Sequence, residues 1–335
     1  MTSHLPGAFA PRKSGPTKNV FRAVAPGGIG NLGPGIDILG CAITGPGDVV
    51  EATAIDGRGI RIDAAGHPDL PTDPERHTSG VAAIEVLRRA QATSVGVSLR
   101  IEKHLPLAGG QGGSAASAIA GAVAVNALLG SPLDQDELLL AALVAEERVA
   151  GRHLDNLAPA LLGGIVLVRS LDPLVLLRLP VPPALRIVIV HPEMQLRTAD
   201  ARAVLPAAVD RATAMVQASA VAAMVGAFCT GDLSMLRGAI DDRIAEPART
   251  PLLPGFKNAK QAALEAGALG CSIAGGGPSS FAMADGEGAA GAVLAAMLEA
   301  YRADGMTATG RVTTIDERGA RIESGERDDR PVHTS

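Results

Sequence analysis

The chain has 335 residues, of which 47% are hydrophobic and 19% are charged, and its formal net charge is −5. This length is sufficient for two domains that each bury a core. With five Phe, one Tyr, no Trp and no run of basic residues, the composition argues against nucleic acid or an anionic membrane surface as the main partner.

The cysteines and the N-terminal segment bear on the compartment. Three cysteines lie far apart and match neither a metal-binding spacing nor a disulfide framework. Residues 1–18 are rich in Pro, Ser and Gly, lack the apolar run of a signal peptide, and are typical of a disordered lead-in. We therefore predict a cytoplasmic protein.

The first half of the chain predicts a mixture of strands and helices. Apolar alternation and helical spacing indicate, in chain order, strands at Val20–Ala25, Val49–Ile55 and Val95–Ile101, helices at Gly80–Ala92, Ser114–Leu129, Asp134–Val149 and Asn156–Leu162, and a hairpin of Ile165–Arg169 with Leu174–Leu179. Pro180, Pro182 and Pro183 then interrupt the pattern. We expect a domain boundary there, with an N-terminal domain over 19–180.

The second half continues with long alanine-rich segments. The pattern predicts strands at Arg186–Val190, Ser272–Ala274, Ser280–Ala284 and Thr307–Thr314, and helices at Thr198–Gly226, Leu233–Ile244, Lys257–Ala266 and Gly288–Asp304. Strands and helices alternate irregularly, which favours an α+β class over a doubly wound parallel sheet. We expect a C-terminal domain over 181–322 and a flexible, charged tail over 323–335.

A glycine-rich loop is the strongest local signal. In Leu105–Ala116 four glycines precede a segment with the composition of a helix. Such a loop offers free backbone N–H groups and the positive end of the helix dipole, which suits phosphate. No Gly-Lys-Ser/Thr follows, so it is not the common P-loop. Alone, the loop indicates an anion site.

Two further glycine motifs complete a pattern. Gly30–Asp37 (GNLGPGID) follows the first strand, and Ile273–Ser279 (IAGGGPS) lies near the C-terminus. With the loop, they resemble in order and spacing the three signature motifs of the GHMP small-molecule kinases. The segments that resemble the homoserine kinases within that superfamily are Gly30–Asp37, His153–Pro159, Thr198–Pro206, Ile244–Arg249 and Leu253–Phe256.

The resemblance implies a two-domain GHMP kinase architecture, with a ribosomal protein S5 domain 2-like N-terminal domain and a ferredoxin-like C-terminal domain. It implies ATP as co-substrate, Mg²⁺ as cofactor, and L-homoserine as the acceptor that becomes O-phospho-L-homoserine in threonine biosynthesis. It also implies a homodimer, with no nucleic-acid or membrane partner.

The resemblance assigns the nucleotide residues as follows. The ATP loop would comprise Pro106, Leu107, Ala108, Gly109, Gly110, Gln111, Gly112, Gly113, Ser114, Ala115 and Ala116. Ser114 and Glu146 would be the Mg²⁺ ligands. From the residues alone two other interpretations stay open, Ser114 as a helix N-cap and Glu146 as part of a solvated helix face.

The implied acceptor is a zwitterion with a terminal hydroxyl. Its carboxylate needs an arginine guanidinium, its ammonium group needs a carboxylate, and its hydroxyl needs a polar group that aligns it. Arg202 and Arg249 would bind the carboxylate, and Asp37 with Asn31 the ammonium group. The reacting end would be lined by His153, Asp155, Asn156 and Thr198, with Asn156, Thr198 and Arg202 as catalytic residues. Mevalonate kinase-like members have an Asp base at the position of Asn156, so the resemblance implies catalysis by positioning and electrostatics.

The chain also departs from the family pattern. Gln111 replaces a Leu and Gly113 a Ser in the loop, Ala274–Gly277 lacks two hydroxyls, and His77 stands where an Asn is common. We expect altered nucleotide contacts, close backbone packing of Gly275–Gly277 beneath the loop, and a merely solvent-exposed Lys103. Alternative functions are a GHMP kinase for another acceptor, which would not need Arg202, Arg249 and Asp37 together, and a catalytically silent ligand-binding homologue. A Rossmann oxidoreductase is disfavoured because the G-x-G-x-x-G spacing is absent.

Overall fold

The structure, a computed structural model, describes residues 20–149 and 151–323. The strands are β1 (Val20–Gly30), β2 (Leu39–Ile55), β3 (Gly59–Ala64), β4 (Gly96–Glu102), β5 (Ile165–Leu171), β6 (Leu174–Leu179), β7 (Leu185–Pro192), β8 (Gly270–Ile273), β9 (Ser280–Asp285), β10 (Ala308–Thr313) and β11 (Arg321–Glu323). The helices are α1 (Thr78–Arg89), α2 (Gly113–Leu128), α3 (Gln135–Val149), α4 (Leu157–Leu162), α5 (Thr198–Ala203), α6 (Arg211–Thr230), α7 (Ala245–Arg249), α8 (Phe256–Glu265) and α9 (Gly286–Ala303).

The first sheet has seven strands in the part of the chain that the structure describes. Its main order is β11-β1-β2-β4-β3, and β5 and β6 continue from the beginning of β2. Among its strands in the described residues, only the β3–β4 pair is parallel. Every second residue of the central strands faces one core with α1–α4, as the two-residue period of a strand requires. Helix α2 is apolar on all sides, and its many alanines let it lie buried among the other helices.

The second sheet has four antiparallel strands in the order β10-β7-β9-β8. On one face Val188 and Val190 of β7 pack against α8 and α9, around the buried Tyr301. On the other face Ile187 and Ile189 face α6 and the first sheet. The predicted α+β class is confirmed.

A shared core joins the two sheets. Phe281 and Met283 of the second sheet, Phe228 of α6, and Ile29 and Cys41 of the first sheet belong to one buried cluster. The loops that leave β1 and β8 are therefore held against each other. Strands β6 and β7 lie on either side of the expected domain boundary, and the closing strand β11 returns to the first sheet, where it pairs with β1.

Several predicted elements need correction. The predicted helix Thr198–Gly226 is two helices, α5 and α6, because Pro206 lacks a backbone N–H and Asp210 caps a new helix by accepting a hydrogen bond from Thr213 N at 2.9 Å. The predicted helix Leu233–Ile244 forms only a 3₁₀ turn at Leu233–Leu236, since Gly238 takes a left-handed φ of 75°.

The first sheet is also larger than predicted. Strand β3 was missed, β2 begins at Leu39 rather than Val49, and β11 was not expected. Glu323, predicted to open the flexible tail, ends β11, while residues 324–335 and the lead-in 1–18 lie outside the described residues.

Helix α6 has a length and composition that would allow it to cross a membrane. Within the described chain, however, its Met224 and Phe228 are buried in the core that the two sheets share. This packing involves one side of α6, while Met215 and Val216 near its start are exposed.

Candidate active site

The predicted site residues meet at a cavity of about 630 Å³ between the two sheets. Those that line it are Asn31, Pro106, Leu107, Ala108, Gly109, Gly110, Gly112, Gly113, Ser114, Glu146, His153, Asp155, Asn156, Thr198, Arg202 and Arg249. Four predicted residues, Asp37, Gln111, Ala115 and Ala116, are not among the lining residues. Of these, Asp37 accepts a hydrogen bond from Arg202, which is one of the lining residues.

The glycine loop, which we call the nucleotide loop (residues 105–114), is built by backbone packing. Gly112 takes a left-handed φ of 68°, and α2 begins immediately after it. Gly110 also has a positive φ, and a Cβ there would lie 2.5 Å from Ala274 O and 2.8 Å from Gly277 O. The expected packing of Gly275–Gly277 beneath the loop is thus confirmed, and it holds the loop ready for a ligand.

Three residues predicted to bind ATP face away from the cavity. Ala115 and Ala116 are buried in the core of the first sheet. The buried Gln111 side chain donates to Ser279 Oγ at 3.2 Å, and its Oε1 accepts long hydrogen bonds from Arg311 at 3.4 and 3.5 Å. Gln111 thus supports the nucleotide loop from behind, and the side chains of all three lie outside the binding surface.

A buried ion pair below the loop was missed by the sequence analysis. The Lys103 ammonium group donates to the Asp48 carboxylate, to Gly113 O at 2.9 Å and to Ser117 Oγ at 2.9 Å. Lys103 is therefore not solvent-exposed: 6% of its side chain is accessible, at the cavity wall. The strand register that places Val49 opposite Glu102 brings these residues together, and only the sheet pairing could have revealed it.

His77 is a cap rather than a free ligand. Its Nδ1 accepts a hydrogen bond from Ser79 N at 3.2 Å at the start of α1, and Nε2 lies 3.2 Å from Ala65 O. Burial lowers the pKa of His77 and favours the neutral ring. Both ring nitrogens of His77 thus contact backbone groups, while the residue also lines the cavity.

Ser114 and Glu146 are close enough to share a cation. The Ser114 hydroxyl lies 3.5 Å from Glu146 Oε2, and in the described chain this is the hydrogen bond that the carboxylate makes. Burial raises the pKa of Glu146 to about 7. Glu146 is thus not on a solvated face, and a buried carboxylate beside a hydroxyl is a donor set that suits Mg²⁺.

The acceptor group, as we call Asp37, His153, Asp155, Arg202 and Arg249, is a chain of polar contacts. Arg202 binds both oxygens of Asp37, at 2.7 and 3.1 Å, and its Nη2 lies 2.9 Å from His153 Nε2. His153 Nδ1 lies 3.0 Å from Asp155 Oδ1. Since a guanidinium can only donate, the contacts assign a neutral His153 with its proton on Nδ1.

The charges of this group are balanced internally. Burial opposes ionisation of Asp37, but the hydrogen bonds and charge of Arg202 together outweigh it and hold the pKa of Asp37 below its usual value. Ligand atoms of Asp37, His153 and Asp155 lie within 4.8 Å of one another, a spacing that could suit a metal. The Arg202 guanidinium already bonds to two of the three, so its positive charge disfavours a metal there.

Arg249 and Asn31 connect the first and third glycine motifs. The buried Arg249 donates from Nε to Ala201 O at 3.0 Å and from Nη1 to Gly275 O at 2.9 Å. Its Nη2 takes part in neither bond. Asn31 donates to the same Gly275 O, and its Oδ1 accepts from Asp37 N at 3.0 Å. Burial lowers the pKa of Arg249, and the charge of Arg202 adds to this effect.

Asn156 and Thr198 complete the cavity wall. Asn156 lies between the two parts of the site, with Nδ2 3.5 Å from Asp155 Oδ2 and Oδ1 3.3 Å from the position that a Cβ on Gly112 would take. Thr198 is the exposed first residue of α5. A phosphate on the nucleotide loop and a small polar acceptor could therefore both contact Asn156.

Comparisons with known proteins agree with this arrangement. Residues 79–164 match the family model of the GHMP kinase N-terminal domain, and residues 224–303 match that of the GHMP kinase C-terminal domain. A homoserine kinase from Chlorobium phaeovibrioides is 42% identical over 90% of this chain and 98% of its own length. One from Arabidopsis thaliana is 42% identical over 90% of this chain and 84% of its own length.

Solved structures agree as well. The crystal structure of homoserine kinase from Cytophaga hutchinsonii has a TM-score of 0.86 at 36% identity and covers 95% of this chain and 100% of that one. Mevalonate kinase from L. major, at 17% identity and a TM-score of 0.62, shares the fold. The chain therefore belongs to the homoserine kinase family of the GHMP kinases.

Proposed function

We propose that this kinase transfers the γ-phosphoryl group of ATP to the side-chain hydroxyl of L-homoserine and forms O-phospho-L-homoserine, a step of threonine biosynthesis. The observation that carries the proposal is the pairing of Asp37 with Arg202, next to the buried Arg249, at the cavity that the nucleotide loop also lines. An α-amino acid head group carries the charges that complement this set.

The head group would enter the acceptor group by exchanging partners. Its ammonium group is complementary to Asp37, and its carboxylate to Arg202 and to Nη2 of Arg249. Within the described residues, the buried Nε of Arg202 has no hydrogen-bond partner. A buried donor without a partner is unfavourable, so a ligand carboxylate that satisfies it gains affinity.

The nucleotide side would bind ATP mainly through the backbone. The amides of Gly110–Gly113 and the N-terminus of α2 provide donors for phosphate oxygens. Ser114 and Glu146 would hold Mg²⁺, which neutralises charge on the transferring phosphoryl group. The Lys103–Asp48 pair fixes the backbone of Gly113 and so supports the first turn of α2.

The residues near the acceptor hydroxyl favour positioning over proton abstraction. Asn156 cannot accept a proton, and the carboxylate of Asp155 already accepts hydrogen bonds from His153 and from Asn31 N. We propose that Asn156 and Thr198 align the hydroxyl, whose proton leaves to the phosphate or to solvent. A pH–rate profile that requires a side-chain base at this position would contradict this mechanism.

The test is phosphorylation of a small panel of acceptors in the presence of ATP and Mg²⁺. ADP release is measured with L-homoserine, D-homoserine, L-threonine, mevalonate and galactose, and the product is identified by ³¹P NMR. Strong turnover with L-homoserine alone supports the proposal. Turnover with another acceptor would keep the kinase activity and reject our assignment of Arg202 and Arg249. Binding of homoserine without turnover would indicate the silent homologue.

Three further proposals concern the context of the reaction. We propose that the protein needs Mg²⁺, acts in the cytoplasm and forms a homodimer without nucleic-acid or membrane partners. Light scattering after size-exclusion chromatography tests the dimer, since a monomer mass at assay concentration would contradict it. Loss of activity on chelation, and its recovery with Mg²⁺, tests the metal.

A further inference from the structure

A second cavity, of about 440 Å³, lies behind the nucleotide loop. It is lined by Gln111 on the loop, by Pro46 of β2 and His104 just after β4, and by His191 of β7 and Arg311 of β10. Lys103 and Pro106 line both cavities, so the two share a wall. Neither the proposed kinase reaction nor its substrates use this second cavity.

Arg311 is the unusual group in this cavity. In the part of the chain that the structure describes, its buried Nε has no hydrogen-bond partner, and Nη1 and Nη2 reach only Gln111 Oε1, at 3.5 and 3.4 Å. Burial lowers its pKa, and no carboxylate opposes that effect. A half-buried guanidinium without a counter-charge is costly unless a ligand supplies one.

The fold makes room for this side chain. Gly45 has a φ of 115°, and a Cβ there would lie 3.2 Å from Arg311 Nε. The absence of a side chain at Gly45 on β2 thus leaves the space that the Arg311 guanidinium occupies.

Within the described residues, the lining of the cavity includes no acidic side chain. The nearby carboxylates have other partners: Asp48 binds Lys103, and Glu102 binds Arg22 and lies 3.9 Å from His104 Nε2. His191 is close to Glu193, but Nδ1 of His191 contacts Ser279 Oγ at 3.1 Å. His104 Nδ1 donates to Gly47 O at 2.9 Å, and His191 Nδ1 donates to Ser279 Oγ, so the proton of each ring already has an acceptor. Arg311 is therefore the group that presents donors to an anion.

We propose that this cavity is a second binding site for a small oxyanion, a phosphate group or a carboxylate, that Arg311 binds through its guanidinium. Occupancy of the site is coupled to the nucleotide loop, because an anion on Arg311 competes with Gln111 Oε1 for the same N–H groups. Gln111 also donates to Ser279 Oγ, which in turn donates to Gly109 O at 2.5 Å. By linkage, any effect of the anion on nucleotide affinity is reciprocal.

The experiment separates this site from the nucleotide loop, which we also propose to bind phosphate. The full-length protein is first saturated with a non-hydrolysable ATP analogue and Mg²⁺ and is then titrated with inorganic phosphate, followed by calorimetry and ³¹P NMR. Acetate in a second titration distinguishes carboxylate from phosphate. We expect a residual phosphate site in the wild type, weakened about tenfold or more in Arg311→Met through loss of charge-assisted hydrogen bonds.

Controls keep the test independent of folding and of kinase activity. Arg302→Met, on the exposed face of α9, should bind phosphate as the wild type does. Arg311→Lys keeps the charge without the fork and should show intermediate affinity. Equal phosphate binding by the wild type and Arg311→Met would mean an adventitious ion only and would overturn the proposal. Absence of phosphate binding to the analogue-saturated wild type would also overturn it.

The coupling has its own readout. In Arg311→Met, phosphate should affect the dissociation constant of the ATP analogue only by competing with it at the nucleotide loop. In the wild type, phosphate should change this dissociation constant by an additional amount. Gln111→Leu should keep the anion site and lose this additional change. A wild type and an Arg311→Met variant with identical phosphate dependence of analogue binding would overturn the coupling, whether or not the protein phosphorylates homoserine.

Discussion

The two halves of the active site are constructed in different ways. The nucleotide loop is positioned by backbone contacts, with Gly110 pressed against the carbonyl groups of Ala274 and Gly277. The acceptor group is positioned by side chains that bind one another, as Arg202 does with Asp37 and His153. Where phosphates are to bind, the protein offers amides of fixed direction. Where an amino acid is to bind, it offers charges that are already paired.

This difference has a consequence for substitutions. Changes on the nucleotide side should act through the shape and stability of the loop, whereas changes on the acceptor side should act through unpaired charge. The expected effects below follow from this contrast; the first is the largest and the last is the smallest.

Arg202→Met should have the largest effect. It removes a bidentate ion pair and leaves Asp37 without its partner, so kcat/KM for L-homoserine should fall about 10³-fold. The KM for ATP should change less than about threefold, because Arg202 forms its hydrogen bonds with Asp37 and His153 of the acceptor group. Arg202→Lys should be intermediate. Steady-state kinetics with each substrate varied will decide; a dominant rise in the KM for ATP would contradict the division into two halves.

Gly110→Ala should damage the nucleotide side. A Cβ at a φ of 77° would meet two backbone carbonyls that cannot move independently, which should destabilise the fold by about 2 kcal/mol and raise the KM for ATP about tenfold. Gly291→Ala is the matched control, since a Cβ there meets nothing within 4 Å on helix α9 and should be neutral or slightly stabilising. Equal behaviour of the two variants in urea unfolding would refute the packing argument.

Glu146 should make stability depend on pH. Its pKa is about 7 in the folded protein and 4.5 when unperturbed, so the folded state binds the proton more tightly. The stability that this provides is complete below pH 4.5 and is lost as pH rises to 7, by about 3 kcal/mol in total.

Glu146→Gln should therefore be more stable than the wild type at pH 8 and equal to it near pH 4.5, without metal. Urea unfolding at both pH values, with Glu147→Gln as the exposed neighbour control, measures this difference. Added Mg²⁺ should stabilise the wild type more than Glu146→Gln. A wild type whose stability is flat across this range would show that Glu146 is not buried in the manner described.

Asn156→Ala should have the smallest effect of the four. Loss of one aligning group should lower kcat about tenfold, and the pH–rate profile should keep its shape because no proton acceptor is removed. Disappearance of an ionisation from the profile would show that the residues around Asn156 act as a base.

The motifs could be identified from the sequence alone, but the residues that contact them could not. The residue types in Gly30–Asp37, His153–Pro159 and Ile244–Arg249 predicted which side chains meet at or beside the cavity, because a sequence motif is a local property of the chain. The Lys103–Asp48 pair and the contact of Gln111 with Arg311 join segments that are distant in sequence. Such contacts depend on strand register and on the packing of the two sheets.

The errors in the helices have a similar origin. Alanine-rich composition favoured one helix over Thr198–Gly226, but Pro206 and the cap at Asp210 divide it. This division matters for function, because the short α5 carries Thr198 and Arg202 into the cavity while α6 packs on the second sheet. Strand β3 was missed although its isoleucines alternate, because its parallel partner β4 lies beyond α1 in the chain.

The most direct test of the account compares L-homoserine with two acceptors that each lack one charge, 4-hydroxybutanoate without the ammonium group and 3-aminopropan-1-ol without the carboxylate. If Asp37, Arg202 and Arg249 recognise the amino acid head group, kcat/KM should fall at least about 10³-fold for each analogue, since each lacks one of the two charges that complement this set. Values within about tenfold of that for L-homoserine would contradict the account and assign the pair a purely structural role.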